Sequence, residues 1–505
     1  MNRMNPVIIE KKLKEASDLL ADEDFAAALP RFEELTRLRP DSAGIWLGYG
    51  AAAANLRQPS TAQLAWGKAR DLAAGNAKLL LQLGHQFRAA RQLENAQACY
   101  EQAAQADPAD INPLISLAVL FEKNHQLDES RACVEKCLAI NPSDEQARYF
   151  RALLDRRENK IADAERELRD LIASEPKHPY VCYACRYELA QILDQTERFD
   201  EAMRALGEAK ALVRKLANIE EVSEAFDAMI ERGRHVKHQP KDALRAWAKA
   251  FPEKERKPIP TLAFLGGHPR SGTTLMEQIL GAHPKVIALD EPHLFQSVLI
   301  PEIQKIRPNS SALLNIVRQR YIQALERESG SEASGKLLLE KNPSLTSALP
   351  MWLRVFPDLH VIIALRDPRD VVISCYFQNL PLNVANSNFL SLERIAKHYV
   401  ALMDIWLAVR EWEGILSIET RYEDTIADLE KEGRRVTEFL GLTWDDAQRR
   451  FHESSQKQRL HSPTYRDVTR PVYARSVARW RPYEKHLAPV LPLLEPYCRA
   501  FGYAQ

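Results

Sequence analysis

The sequence predicts an α-solenoid of short helical repeats followed by an α/β domain with a central parallel sheet and a phosphate-binding loop. Three observations predict it. A 34-residue period runs through the first half. From Thr261 onward, short apolar runs alternate with helical stretches. The first of those runs leads into GGHPRSGTT, a glycine-rich turn that opens a helix.

The period comes first along the chain. Pro40, Pro108, Pro142 and Pro176 lie on one 34-residue grid, and Ala74 fills the missing point ahead of Gly75. Three further columns share that spacing. Ala28, Ala62, Ala96, Ser130 and Ala164 are small, as are Ala16, Gly50, Gly84, Ala118 and Ala152. Phe32, Trp66, Tyr100, Val134 and Leu168 are bulky. Small residues let two antiparallel helices touch, a large one fills the gap to the next pair, and proline ends the second helix. A degenerate copy follows near 180–215, out of phase by about four residues, with Ala190 and Ala202 in the small positions. The solenoid is therefore expected over 8–215, a helical linker over 216–257 and the α/β domain over 258–505. Such arrays offer concave surfaces to a peptide or protein partner, or serve as a dimerisation or stabilising platform. A homodimer is compatible with either use.

In the second half, TLAFLGG, KVIALDE (285–291), HVIIALRD (360–367) and GILSIETRYED (414–424) read as strands. Continuous apolar strands separated by helices describe a parallel sheet covered on both faces. Ligands bind such sheets at the carboxyl ends of the strands. The residues just past those ends are His268 to Thr274, Asp290 and Glu291, Arg366 to Arg369, and Arg421 to Asp424.

In the loop itself, Gly266 and Gly267 allow close backbone approach, and Gly272 permits a turn conformation that a side chain would forbid. Ser271, Gly272, Thr273 and Thr274 then sit at a helix N-terminus, where unpaired N–H groups attract an anion. Arg270 adds a fixed charge with a two-pronged donor. The Gly-Lys-Ser/Thr of nucleotide triphosphatases is missing.

Composition narrows the classes. At 505 residues, two or more domains are expected. The balance of 69 basic and 69 acidic residues gives no reason to expect nucleic-acid binding or a polybasic membrane anchor. The N-terminus lacks the apolar core of a secretory signal, and no run of ~18 apolar residues suggests a membrane span. Seven scattered cysteines read as reduced thiols and a cytoplasmic location. Cys182 and Cys185 form a CxxC in a helical pattern, read as helix packing, with zinc or redox chemistry as the alternative.

The repeat columns and IWLGYG at 45–50 resemble tetratricopeptide repeats. PRSGTT resembles the 5′-phosphosulfate loop of sulfotransferases. The stretch LLLEKNPSLTSALPMWLRVFPDLHVIIALRDPRDVVISCYFQ is similar to the family's 3′-phosphate block, and RYEDT to its adenine-side motif. FLGL and RPVYARSVARWRPYEKHL are similar to its C-terminal segment. The likeness is closest to the protein-tyrosine sulfotransferase branch, covers about 260–505, and with the repeats takes in most of the chain.

That resemblance implies 3′-phosphoadenosine 5′-phosphosulfate (PAPS) as donor, an acceptor hydroxyl such as a peptide tyrosine, and no metal. It implies that Arg270, Ser271, Gly272, Thr273 and Thr274 cradle the phosphosulfate. Glu291 matches the family's catalytic base, and Lys341 the lysine that steadies the transferring group. Arg366 and Ser374 match the pair on the 3′-phosphate, and Tyr422 the adenine contact. Thr464 replaces a family serine, Arg479 a family lysine, and Gln378 an arginine. Asp290 and His293 are rival bases. Two other functions compete: an atypical nucleotide phosphotransferase, and a repeat scaffold carrying an inactive nucleotide-binding domain. His268 is left without a role.

Overall fold

A computed structural model describes residues 6–503, apart from Arg57, most of 218–234, four of residues 254–258, His293, 304–310, 331–334, 381–385 and 453–475. The chain divides into two compact units between Glu188 and Leu189.

The first unit is built from helix pairs. They are α1 (Pro6–Ala21) with α2 (Phe25–Leu38), α3 (Ala43–Asn55) with α4 (Pro59–Leu72), and α5 (Ala77–Ala89) with α6 (Leu93–Ala106). Next come α7 (Asn112–Lys123) with α8 (Leu127–Ile140) and α9 (Glu145–Arg157) with α10 (Ile161–Ala173). The sequence columns meet one another here. A Cβ on Gly50 would lie 2.4 Å from the Trp66 ring, and one on Gly84 2.3 Å from Tyr100. Only glycine lets these pairs close. Where the small residue is Ser130, its hydroxyl donates to the Ala118 carbonyl at 2.9 Å, so the buried oxygen is satisfied.

The turns inside the pairs share a device. Glu23, Arg91, His125 and Asn159 have left-handed backbones, again on the 34-residue spacing. Each follows a helix end, and the next N–H reaches back to close it, as Gln92 does to the Phe87 carbonyl at 2.8 Å. The sixth pair is α11 (Pro179–Gln195) and α12 (Phe199–Leu216). Helix α11 has 17 residues where α9 has 13. That one extra helical turn accounts for the four-residue phase shift, and its left-handed turn residue is Glu197. Helix α12 lies within the second unit.

The second unit centres on five parallel strands: β1 (Leu262–Gly267), β2 (Val286–Asp290), β3 (Leu337–Lys341), β4 (His360–Leu365) and β5 (Leu416–Arg421). Their order is β2-β3-β1-β4-β5. Strand β3 is not among the four expected from sequence. Its run LLLEK ends in two charged residues, yet Glu340 and Lys341 are both fully buried. Glu340 Oε2 accepts from the Tyr321 hydroxyl at 2.5 Å, while its Oε1 has no hydrogen-bond partner among the described residues; burial pushes its carboxyl up to about 8, with the Tyr321 hydrogen bond working the other way.

The helices that position the site are α13 (Thr273–Gly281), α14 (Ser311–Ser329), α15 (Pro368–Tyr376), α16 (Leu392–Val409), α17 (Tyr422–Ala427) and α18 (Leu429–Phe439). Ala263, Leu265, Leu339, Ile362 and Ala364 of the sheet pack with Met276 and Leu280 of α13 and Val436 of α18. Strands β3 and β4 flank β1 on opposite sides. The chain thus reverses its direction of crossover at β1, which opens a crevice at its carboxyl end.

All seven cysteines are free thiols. Cys182 and Cys185 both lie on α11, and burial pushes the Cys185 thiol up to about 12. Among the described residues, no helix is long and apolar enough to cross a membrane.

Candidate functional site

The glycine-rich loop leaves β1 under tight constraint. Gly267 has φ 130°, and a Cβ there would lie 2.3 Å from the Ala364 carbonyl oxygen. The Thr346 hydroxyl accepts from Gly267 N–H and donates to its carbonyl, both at 2.8 Å. Arg270 has φ 73° and Gly272 φ 92°. Gly272 caps the N-terminus of α13, and a Cβ on it would run into Tyr422 at 2.7 Å. Left-handed backbone at a non-glycine residue costs about 1 kcal/mol or more and is held only by its surroundings.

His268, without a role in the sequence reading, belongs to those surroundings. It is fully buried, and its Nδ1 donates to the Pro269 carbonyl at 2.8 Å. Its Nε2 therefore accepts from His398 Nδ1 on α16, also at 2.8 Å. Burial drives His268 down to about 4, the Pro269 contact pulling weakly the other way, so the ring stays neutral at pH 7. The pair pins the loop to α16 from beneath.

Two groups of polar side chains then converge at the strand ends. In the first, Arg270 Nε donates to the Ser374 hydroxyl on α15 at 3.1 Å. Arg366 Nη1 donates to the Arg270 carbonyl at 3.1 Å, and its guanidinium lies 4.8 Å over the Tyr422 ring. Its Nη2 reaches the Ser476 carbonyl, while its buried Nε has no hydrogen-bond partner among the described residues. Arg270, Gly272, Arg366, Ser374 and Tyr422 thus share one neighbourhood. Ser271, Thr273 and Thr274 are buried in the same turn.

The second group surrounds Lys341. Its ammonium is fully buried and contacts Asp290, with Glu291 at 3.0 Å and Glu277 at 4.0 Å. Parallel register sets this: Lys341 pairs with Asp290 across β2–β3, and Glu291 N–H donates to the Lys341 carbonyl at 2.8 Å. Burial works against the Lys341 charge, but Asp290 and Glu291 outweigh it and hold the ammonium protonated. Glu291 is the outward member, with its side chain 49% exposed and its backbone at φ 49°.

Arg479 pairs with Asp194 of α11 at 2.9 Å and lies 4.4 Å over the Phe377 ring. Asp194 also receives the Tyr483 hydroxyl, which anchors that segment to the helix. Gln378 is folded onto its own helix end, donating to the Ser374 carbonyl at 3.0 Å. Thr464 and His293 lie outside the described residues. Residues 476–480 do pack on the turn after β4: Arg369 lies 3.9 Å over the Trp480 ring, and Trp480 N–H donates to Asp370 at 2.8 Å.

Sequence reasoning passed over Glu277, Thr346 and His398. Glu277 had a visible signal, a carboxylate in the apolar turn LMEQIL, one helical turn after Thr273. A depression of about 170 Å³ lined by Pro260, Phe356, Asp358 and His360 lies at the opposite, amino ends of β1 and β4.

Residues 262–446 match the sulfotransferase family. Residues 13–77, 149–213 and 77–110 match tetratricopeptide repeats. An uncharacterised Aquifex aeolicus protein is 27% identical over 355 residues, 66% of this chain and 44% of its own length. The chain thus spans less than half of that relative. Protein-tyrosine sulfotransferase 2 of Gallus gallus is 24% identical, over 48% of this chain and 71% of its own. A provisionally named protein-tyrosine sulfotransferase of Caenorhabditis briggsae is 30% identical over 197 residues, 38% of this chain and 69% of its own. The polar groups at the strand ends therefore stand in a known setting: the chain belongs to the sulfotransferase family, with tetratricopeptide repeats ahead of its sulfotransferase domain.

Proposed function

We propose that the α/β domain transfers a sulfuryl group from PAPS to an acceptor hydroxyl, with Glu291 as base. One observation carries this reading. A buried lysine is held by two carboxyl groups at the strand ends, and one of them is half exposed. A half-exposed carboxyl beside a fixed cation suits a proton acceptor for an incoming hydroxyl.

The residues present fit the donor. An anion needs donors that nothing else has satisfied, and the buried Arg366 Nε is one. The N–H groups at the start of α13 and the Arg270 guanidinium suit a phosphosulfate. Arg366 and Ser374 would hold the 3′-phosphate, and Tyr422 would lie against the adenine. Bound PAPS supplies a sulfuryl group on a phosphate leaving oxygen. Glu291 takes the acceptor proton, and Lys341 offsets charge that builds beside it. Asp290 holds Lys341 in place, and the strained turn at Glu291 keeps that carboxylate outward. None of these roles asks for a metal.

The first acceptor to try is a tyrosine in a peptide, since relatives carry that name. The repeats would recruit the acceptor or a partner protein, the common use of such arrays. Free thiols support a cytoplasmic setting.

The direct test is Glu291→Ala with labelled PAPS. Turnover is expected to fall by about 10²–10⁴-fold, the usual worth of a general base, while 3′-phosphoadenosine 5′-phosphate (PAP) still binds. Undiminished turnover would overturn the assignment.

A further inference from the structure

Glu277 sits on α13, the helix that the phosphate-binding loop opens. Its residue is 2% exposed, and its Oε2 makes no hydrogen bond among the described residues. Lys341 Nζ stands 4.0 Å from that oxygen, too far for a hydrogen bond and close enough for strong attraction. Three carboxyl groups therefore share one ammonium. Asp290 and Glu291 already neutralise it and leave the group one charge negative. A third ionised carboxyl would add another negative charge deep beside a loop built for an anion.

The ammonium has three N–H bonds. Asp290 and Glu291 are close enough to take two. The state of Glu277 decides what happens to the third. We propose that Glu277 is a positioning residue that holds a proton at neutral pH. By staying neutral, it leaves one N–H of Lys341 to the anionic donor. Once ionised, it draws that N–H to itself and repels the donor. This rests on the sulfotransferase reading.

The charged groups facing Glu277 are Lys341 at the end of β3, and Asp290 and Glu291 at the end of β2; Gln278 neighbours it on its own helix. Burial is the main effect and raises its carboxyl to about 8. Lys341 opposes that rise, as does a hydrogen bond from the Gln278 side chain, and Asp290 and Glu291 add to it. Lys341 stays protonated over this range.

Two measurements on the full chain and its Glu277→Gln variant decide the matter. The first is calorimetric binding of PAP at pH 7 and pH 9.5, a range over which phosphate ionisation is complete (its second pKa is about 6). The native chain should lose about tenfold in affinity, the scale of one added charge nearby. The variant should change by less than twofold by the same reasoning. Equal losses in the two proteins would overturn the proposal.

The second is the thermal midpoint without ligand. A carboxyl raised in the folded state favours folding while protonated there. The native chain should therefore lose stability relative to the variant as pH rises from about 4.5 toward about 8, and hold level above. A midpoint difference that does not move with pH would show that Glu277 holds no such proton. If neither protein binds PAP at pH 7, the sulfotransferase reading falls instead, a result distinct from equal pH losses.

Discussion

The repeats and the α/β domain store their information differently. In the repeats it is spread over columns, and each column position does the same mechanical work. Gly50 under Trp66 and Gly84 under Tyr100 are one contact made twice. In the α/β domain it sits on single residues at five strand ends, each unlike the others. A change in a column should therefore cost packing energy alone. A change at a strand end should alter charge, and its effect should depend on pH or ligand.

The largest expected effect is at Lys341. Lys341→Ala removes the cation from a buried cluster and leaves Asp290 uncompensated, so denaturant unfolding should show a loss of about 3–5 kcal/mol. A loss under 1 kcal/mol would mean that the cluster is solvated.

The His268–His398 pair comes next. A histidine lowered to about 4 when folded, against 6.5 unfolded, contributes stability above pH 6.5 and loses it as pH falls toward 4. At about 1.4 kcal/mol per unit, the native chain should lose up to ~3 kcal/mol more over that window than His268→Asn. Parallel pH curves would count against a buried neutral His268.

Smaller effects distinguish the repeats. Gly84→Ala must push Tyr100 aside, and with it the 2.9 Å contact between Tyr100 and His85, costing about 1–3 kcal/mol. Gly67→Ala places its methyl where nothing lies within 4 Å, so the better helix propensity should stabilise by about 0.5–1 kcal/mol. The two substitutions are chemically identical. If both shift the urea midpoint in the same direction, the column account of the repeats fails.

The contrast also explains what was legible in the sequence. Repeat columns reinforce one another, so the solenoid could be read down to the phase shift at α11, whose cause (one added helical turn) only the structure shows. The α/β site was legible where a residue follows an apolar run: the loop, Glu291, Arg366 and Tyr422 all do. Strand β3 was hidden because its charged end, Glu340 and Lys341, looks like surface and is core. Tyr321, distant in sequence, is what makes that burial tolerable. His398 was hidden for the same reason: its meaning lies in a partner on another element, and no local pattern announces it. Glu277 did leave a trace, a lone carboxylate in LMEQIL. Arg479 was named from its place in a motif, and in the described geometry it pairs with Asp194.

The most direct check on the central reading is thermal denaturation of the full chain with PAP and, separately, with magnesium and ATP. Only a ligand of the folded state raises the midpoint, by an amount that grows with ligand concentration. A concentration-dependent rise with PAP and none with magnesium-ATP is the expected result. A rise with magnesium-ATP alone would contradict the phosphosulfate site and place this loop among the phosphotransferases.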